Sequence, residues 1–146
     1  MNEFLDPIIS IRKKGKEEEF LRISCVEFVH RMCKGVTIIG SMNDVYLGSS
    51  KGVYAYIAKL KKLGCLVKDE PDLMLRWPIG RVLYVELKKA GEKPTKEQFE
   101  RMAEIAMQGF AIDWCSSIED FINVLKFHRV PMRKGTFSGS RGIIQL

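Results

Sequence analysis

Two short runs rich in apolar residues, LMLRW and RVLYVEL, stand on either side of Pro78-Ile79-Gly80. Three-residue connections of this kind join antiparallel strands, and Gly80 can adopt the left-handed conformation that such a turn requires without steric cost. The two runs therefore predict a β-hairpin in which Trp77 pairs with Arg81. A hairpin of this length needs further elements to cover it, so it restricts the chain to folds built around a sheet.

The register of this hairpin separates apolar from polar side chains. Because side chains alternate along a strand, one face is predicted to be almost wholly apolar, with Leu73, Leu75, Trp77, Leu83, Val85 and Leu87. The other face carries Asp72, Met74, Arg76, Val82, Tyr84, Glu86 and Lys88. Met74 is then opposite Tyr84, and Asp72 is opposite Glu86. A slip of one residue would disrupt both faces, which favours this register.

Two carboxylates in directly opposed positions have β-carbons about 5 Å apart and repel each other unless a cation lies between them or one is protonated. Mg²⁺ prefers oxygen ligands and keeps several waters, which can supply a nucleophile for phosphodiester hydrolysis. Lys88 projects from the same face, where its ammonium group could orient water or stabilise charge on a phosphate. The competing interpretation is a solvated face on which Asp72, Glu86 and Lys88 form surface ion pairs.

The remaining pattern predicts an α/β fold with a mixed sheet flanked by helices. Helices are expected over residues 17–33, 51–64, 94–109 and about 116–127, and further strands over 35–40 and 110–115. Capping boxes are predicted for Thr95 with Gln98 and for Ser116 with Glu119. The inner stripe of the third helix is predicted to be Phe99, Met102, Ala103 and Ala106, and that of the second Val53, Tyr56, Ile57, Leu60 and Leu63.

The chain of 146 residues is expected to form one domain, with a basic N-terminal arm (1–16) and a basic C-terminal tail (128–146) that is partly mobile. The net charge is +6, and no acidic residue follows Asp120. Basic segments at both ends suit a polyanion such as DNA, although a merely soluble basic surface would look the same. The predicted nucleic-acid-binding residues are Arg12, Lys13, Lys14, Lys89, Arg129, Arg133 and Lys134.

Cysteine usage and hydropathy favour an intracellular protein without a membrane span or secretion signal. The four cysteines, at positions 25, 33, 65 and 115, follow no regular metal-ligand spacing. Cys25, His30 and Cys33 lie near one another, but no second pair of ligands follows. Buried free thiols are therefore a better interpretation than a zinc site.

Asp72, followed by Glu86-Leu87-Lys88, matches the motif of PD-(D/E)xK nucleases, and more narrowly the chain resembles the VRR-NUC family of virus-type replication and repair nucleases. The likeness runs from about Glu18 to Leu125 and includes KLGCLVKDEPDLML, VELKKAGEKPTKEQ and SSIEDF. The resemblance implies a restriction-endonuclease-like αβββαβ core and a stand-alone endonuclease that uses Mg²⁺ or Mn²⁺. It also implies a homodimer that cuts branched DNA such as Holliday junctions.

The resemblance assigns roles to particular residues. Asp72 and Glu86 correspond to the metal-binding carboxylates, the Leu87 carbonyl to a further ligand, Lys88 to the catalytic lysine, and Gln98 to a glutamine close to the active site. A helix glutamate completes the catalytic and metal-binding set. Glu18 is the first choice, since it shares a helix side with Leu21, Cys25 and Val29, and Glu19 is the alternative. Stabilisation of the helix N-terminus by residues 17–19 is the simpler role.

Two departures from the family pattern bear on the site. Arg22 replaces a usual glutamine, and Asp69-Glu70 stands where the family has glycine two residues before Pro71-Asp72. The first hypothesis is thus a metal-dependent endodeoxyribonuclease that acts on branched or duplex DNA. The alternatives are a catalytically silent nuclease-fold module that binds nucleic acid, and a protein-interaction domain whose basic surface is incidental.

Overall fold

The computed structural model of the protein describes residues 17–41, 51–65, 69–139 and 142–145. The predicted basic arm, with Arg12, Lys13 and Lys14, lies outside the described residues. The predicted polar turn through Asn43 and Asp44 does as well.

The described elements alternate between helices and strands. They are α1 (Glu17–Met32), β1 (Thr37–Gly40), α2 (Lys51–Lys62), β2 (Leu73–Trp77), β3 (Arg81–Leu87), α3 (Lys96–Met107), β4 (Ala111–Cys115), α4 (Ile118–Phe127), β5 (Thr136–Gly139) and β6 (Gly142–Gln145). Apart from α2, which is inserted between the first two strands, α1 to β4 follow the order αβββαβ. The predicted α/β fold class is confirmed.

The main sheet has the strand order β1-β2-β3-β4. The first three strands are antiparallel, and β4 runs parallel to β3. Trp77 pairs with Arg81, and Met74 pairs with Tyr84, so the predicted hairpin register is confirmed. Both Ile79 (φ 68°) and Gly80 (φ 65°) are left-handed in the turn. Only the glycine was expected there, because a β-branched residue rarely adopts this conformation.

The hydrophobic core lies between one face of the sheet and helices α1 and α4. The predicted apolar face of the hairpin is buried there, apart from Trp77, which is half-buried. Phe28 of α1 and Phe121 of α4 meet edge to face, with ring centroids 6.5 Å apart. This packing holds the N-terminal part of α1 beside the strand ends that carry Asp72 and Glu86.

Helix α3 differs from its predicted orientation. Its one buried residue is Ile105, which is not part of the core cluster, and α3 packs on β4 across the opposite face of the sheet. Phe99 is 45% exposed, and Ala103 and Ala106 are exposed as well, so the predicted inner stripe is wrong except at Met102, which is half-buried. The half-buried Gln98 and Arg101 point inward instead, because each finds a carboxylate partner there.

The other sequence predictions are partly corrected. Ser117, not Ser116, caps α4, and its hydroxyl accepts a hydrogen bond from the Asp120 N–H. Gly64 ends α2 with φ 73°, as predicted, but Tyr56 and Leu63 are exposed. The tail forms the two-stranded sheet β5-β6, where no element was predicted.

Three of the four cysteines are buried free thiols, as predicted, but Cys65 is exposed. Burial raises the pKa of Cys33 to about 11. His30 is exposed, whereas Cys25 is fully buried in the core, which does not suit the zinc idea. No helix in the described ranges has both the length and the apolar character needed to cross a bilayer.

Candidate active site

Within the described part of the chain, the buried charged side chains are Asp72, Glu86 and Lys88, with 8%, 3% and 9% of their surface exposed. They are the three residues that the hairpin register predicted to lie together on one face. Asp72 immediately precedes β2, Glu86 lies near the end of β3, and Lys88 follows that strand. The alternative of a solvated face with surface ion pairs is therefore wrong. Buried charges are retained only where other groups compensate them.

Asp72 is held by two donors. The Leu87 N–H donates to Oδ2 at 2.7 Å, which fixes the carboxylate against β3. Arg22 Nη2 of α1 donates to Oδ1 at 2.8 Å, in an ion pair whose side chains are only 16% and 12% exposed. Leu87, predicted to contribute its carbonyl, thus contacts the site through its N–H.

Glu86 is contacted from its own strand and from α3. Lys88 Nζ lies 3.1 Å from Glu86 Oε1, and Gln98 Nε2 donates to the same oxygen at 2.5 Å. Gln98 Oε1 also accepts the Thr95 N–H at 2.9 Å, while the Thr95 hydroxyl accepts the Gln98 N–H. Gln98 therefore completes the predicted capping box and reaches the candidate site at the same time.

Burial, together with the charges of Asp72 and Glu18, raises the pKa of Glu86 to about 7 against the opposing effect of Lys88. Glu18 is thus the α1 glutamate whose charge acts on Glu86. Glu17 is exposed, and Glu19 pairs with Arg22, with 3.6 Å between Glu19 Oε2 and Arg22 Nη1. This arrangement agrees with the choice of Glu18 over its neighbours.

At Asp69-Glu70, the backbone and the side chains can be described separately. Asp69 has φ 60°, the left-handed conformation that a glycine would adopt most readily at this position. Glu70 does not add a free carboxylate to the site, because Arg101 of α3 donates to its Oε1 through Nε at 2.7 Å and also through Nη2. Arg101 therefore joins α3 to the segment that leads into Pro71-Asp72.

The predicted nucleic-acid-binding residues that the structure describes do not all lie beside the candidate site. Lys89 directly follows Lys88 and is exposed. Arg129, Arg133 and Lys134 are also exposed, but the Arg133 N–H donates to the Met32 carbonyl at the last residue of α1. At ~1.5 Å per helical residue, that end of α1 lies ~20 Å from Glu18.

The donor chemistry of the site fits a hard divalent cation. Its acidic groups are the carboxylates of Glu18, Asp72 and Glu86, and their mutual repulsion contributes to the raised pKa of Glu86. In the described ranges, however, no group of three or more His, Cys, Asp or Glu side chains converges closely enough to hold a metal. Arg22 and Lys88 stand beside the two buried carboxylates instead.

Two contributors were not assigned roles from the sequence. Arg22 lies one helical turn after Glu18, so its position on the same side of α1 was visible from the spacing. Its pairing with Asp72 joins residues that are fifty positions apart, which only the tertiary fold reveals. The contact between Arg101 and Glu70 is likewise one that only the tertiary fold reveals.

No protein-family model matches the chain, and no curated protein matches it. Solved structures are similar to the chain. One, described as "VRR_NUC domain", has a TM-score of 0.51 and 17% sequence identity, with 75% of this chain and 95% of that chain covered. Another, described as "VRR_NUC domain protein", has a TM-score of 0.51 and 21% identity, with 80% and 92% covered. The similarity covers most of the chain, which has the fold of a VRR_NUC domain.

Proposed function

We propose that the protein is a DNA endonuclease that hydrolyses phosphodiester bonds with Mg²⁺ or Mn²⁺. We further propose that it acts on branched DNA, such as Holliday junctions, in replication, recombination or repair. The observation that carries this proposal is the burial of Asp72, Glu86 and Lys88 together at one end of the sheet. The fold of the VRR_NUC domain structures supports it.

Each side chain has a distinct task in this proposal. When bound, a divalent cation would supply a more acidic water and offset charge on the phosphate, and Glu18, Asp72 and Glu86, with the Leu87 carbonyl, would hold it. Lys88 offers an ammonium group that can donate to a phosphate oxygen. Gln98 fixes the Glu86 carboxylate by donating from Nε2 to Glu86 Oε1. The Leu87 N–H fixes Asp72 in the same way.

A catalytically silent module that binds nucleic acid is the second candidate. It is favoured by one observation: each buried carboxylate already has a cationic side chain beside it, Arg22 for Asp72 and Lys88 for Glu86. In that case the fold would present its basic surface to DNA without cutting it.

Cleavage assays separate the two candidates. Plasmid nicking and four-way-junction cleavage should occur with Mg²⁺ or Mn²⁺ in the wild type and be lost in Glu86→Gln and Lys88→Ala, which should still bind DNA. Lys96→Ala is the control, because the Lys96 side chain is 84% exposed and its ion pair with Glu100 on α3, at 3.9 Å, is long. Wild-type binding without cleavage under all metal conditions would favour the silent module. Cleavage by Glu86→Gln at the wild-type rate would refute the site assignment.

The homodimer is part of the same proposal, since paired sites suit paired cuts on a symmetric junction. It is supported by the apolar residues that α3 and the start of β4 expose, among them Phe99, Met107 and Phe110. Light scattering should give twice the mass of one 16.7 kDa chain, and Phe99→Ser should reduce that mass. A monomer at all concentrations would refute this part of the proposal.

A further inference from the structure

The end of the molecule opposite the candidate site is strongly basic. Trp77 pairs with Arg81 at the hairpin turn, and Thr37 pairs with Arg76 beside it. The Arg133 N–H binds the Met32 carbonyl where α1 ends, five residues before β1 begins. Six exposed cations are thus gathered here, termed the distal basic end: Arg31, Lys34, Arg76, Arg81, Arg133 and Lys134.

None of these six cations forms an ion pair with a carboxylate among the described residues. The described ion pairs of arginine and lysine involve Arg22, Lys88, Lys96 and Arg101 instead. Unpaired cations that are exposed and close together repel one another, so their concentration in one region is unfavourable unless it serves a polyanion. Such a surface gains affinity for DNA because each neutralised phosphate releases counterions.

The acidic residues of the site lie at the other end of the same elements. Glu86 lies five positions after Arg81 along β3, which corresponds to ~17 Å at ~3.4 Å per residue. Met32 lies fourteen positions after Glu18 along α1, which corresponds to ~21 Å at ~1.5 Å per residue. A DNA strand advances ~3.4 Å per nucleotide, so these spans correspond to about five or six base pairs.

We propose that the distal basic end binds the phosphate backbone of the DNA substrate about five or more base pairs from the phosphate to be cut. This inference rests on the proposed function and adds a length requirement to it. The repulsion between DNA and the acids around Asp72 and Glu86 makes a distant anchor useful, because binding energy gained there holds the substrate against that repulsion. The substrate must then extend well beyond the cleaved bond on at least one side.

The test compares a distal variant, Lys34→Gln/Arg133→Gln/Lys134→Gln, with a control of equal charge change, Lys59→Gln/Lys61→Gln/Lys62→Gln on α2. Fluorescence anisotropy would measure the dissociation constant for a duplex of about 30 base pairs and for a stem-loop of about five base pairs. The distal variant should bind the duplex at least about tenfold more weakly and lower the magnitude of the salt slope by up to ~2.7, while binding the stem-loop within about twofold of wild type. The control should bind the duplex within about twofold of wild type.

Equal weakening by the distal and control variants, or no weakening by either, would overturn the inference. If the distal variant fails to fold, as shown by its thermal melting curve, Arg76→Gln/Arg81→Gln tests the same end from exposed strand positions. If the wild type cuts the duplex and the distal variant binds that duplex as tightly as the wild type does, this inference alone is refuted. A wild type that neither binds nor cuts the duplex would refute the proposed function with it.

Discussion

The two buried acids of the site are compensated in different ways. Asp72 receives a guanidinium and a backbone N–H on separate oxygens, whereas Glu86 receives Lys88 and Gln98 on one oxygen. The contacts of Lys88 and Gln98 with Glu86 do not offset the effects of its burial and of its repulsion by Asp72. The pKa of Glu86 therefore stays raised at about 7. Glu86 is therefore the group whose charge responds to pH in the neutral range.

This raised pKa predicts how stability depends on pH. Folded Glu86 keeps its proton up to about pH 7, whereas the unfolded residue loses it near its ordinary pKa of 4.5. The folded state thus binds more protons in this window, so the free energy of unfolding should fall as pH rises from 4.5 to 7 and then level off. The full effect is on the order of 3 kcal/mol. Urea unfolding of wild type and Glu86→Gln should show this decline only in the wild type, and parallel curves would contradict it.

A second prediction concerns Arg22. Arg22→Gln removes the cation beside Asp72, so the metal-free protein should lose on the order of 3 kcal/mol of unfolding free energy. The affinity for Mn²⁺ should rise, because a positive charge next to a carboxylate ligand opposes a second cation. Calorimetric titration and urea unfolding measure the two effects. Arg31→Gln on the same helix, which is exposed, should change neither. A lower Mn²⁺ affinity in Arg22→Gln would show that the arginine supports the metal site.

At the scale of elements, α3 connects its own cap to the candidate site through Gln98. Thr95→Ala should cost about 1 kcal/mol of unfolding free energy by removing the cap, with little effect on cleavage. Gln98→Ala should cost at least as much and also reduce cleavage, since it removes the contact with Glu86 as well. Unfolding curves and cleavage rates of both variants check this. Equal loss of cleavage in both would mean that the cap alone positions the site.

The β2-β3 turn stores strain at Ile79, which is 96% exposed and has φ 68°. Ile79→Gly should raise the free energy of unfolding by up to about 1 kcal/mol, because glycine adopts this conformation without the steric cost of a β-branched side chain. The matched change Pro78→Gly should not stabilise, since proline at this position already restricts the unfolded chain. Thermal melting of both variants decides the matter, and a destabilised Ile79→Gly would contradict the strain argument.

The hairpin could be predicted from sequence because two independent signals, the turn residues and the alternation of LMLRW and RVLYVEL, agree on one register. The orientation of α3 could not, because its inner side combines the apolar Met102 and Ile105 with the polar Gln98 and Arg101. Gln98 and Arg101 turn inward to meet Glu86 and Glu70, partners that periodicity cannot identify. The β5-β6 hairpin was missed for a different reason: its glycine-rich strands carry little hydrophobic pattern.

Across the whole molecule, acidic and basic groups are separated along the direction of β3 and α1. Carboxylates surround the end with Glu86, and the distal basic end lies about 15–20 Å away, a separation that follows from the rise of strands and helices. The net charge of +6 would thus attract DNA while the site itself repels it. A cation bound at the site would remove that repulsion, so metal binding and DNA binding should be coupled.

The same charge balance predicts how metal affects global stability. A ligand that binds only the folded state stabilises it by RT ln(1 + [L]/Kd), about 2.7 kcal/mol when its concentration is a hundred times Kd. Mn²⁺ should raise the melting temperature at pH 7.5 but much less at pH 5.5, because Glu86, with a pKa of about 7, is then protonated and must lose its proton before it can coordinate. Glu86→Gln should show little shift at either pH. Equal shifts at both pH values, or a full shift in Glu86→Gln, would place the metal elsewhere on the protein.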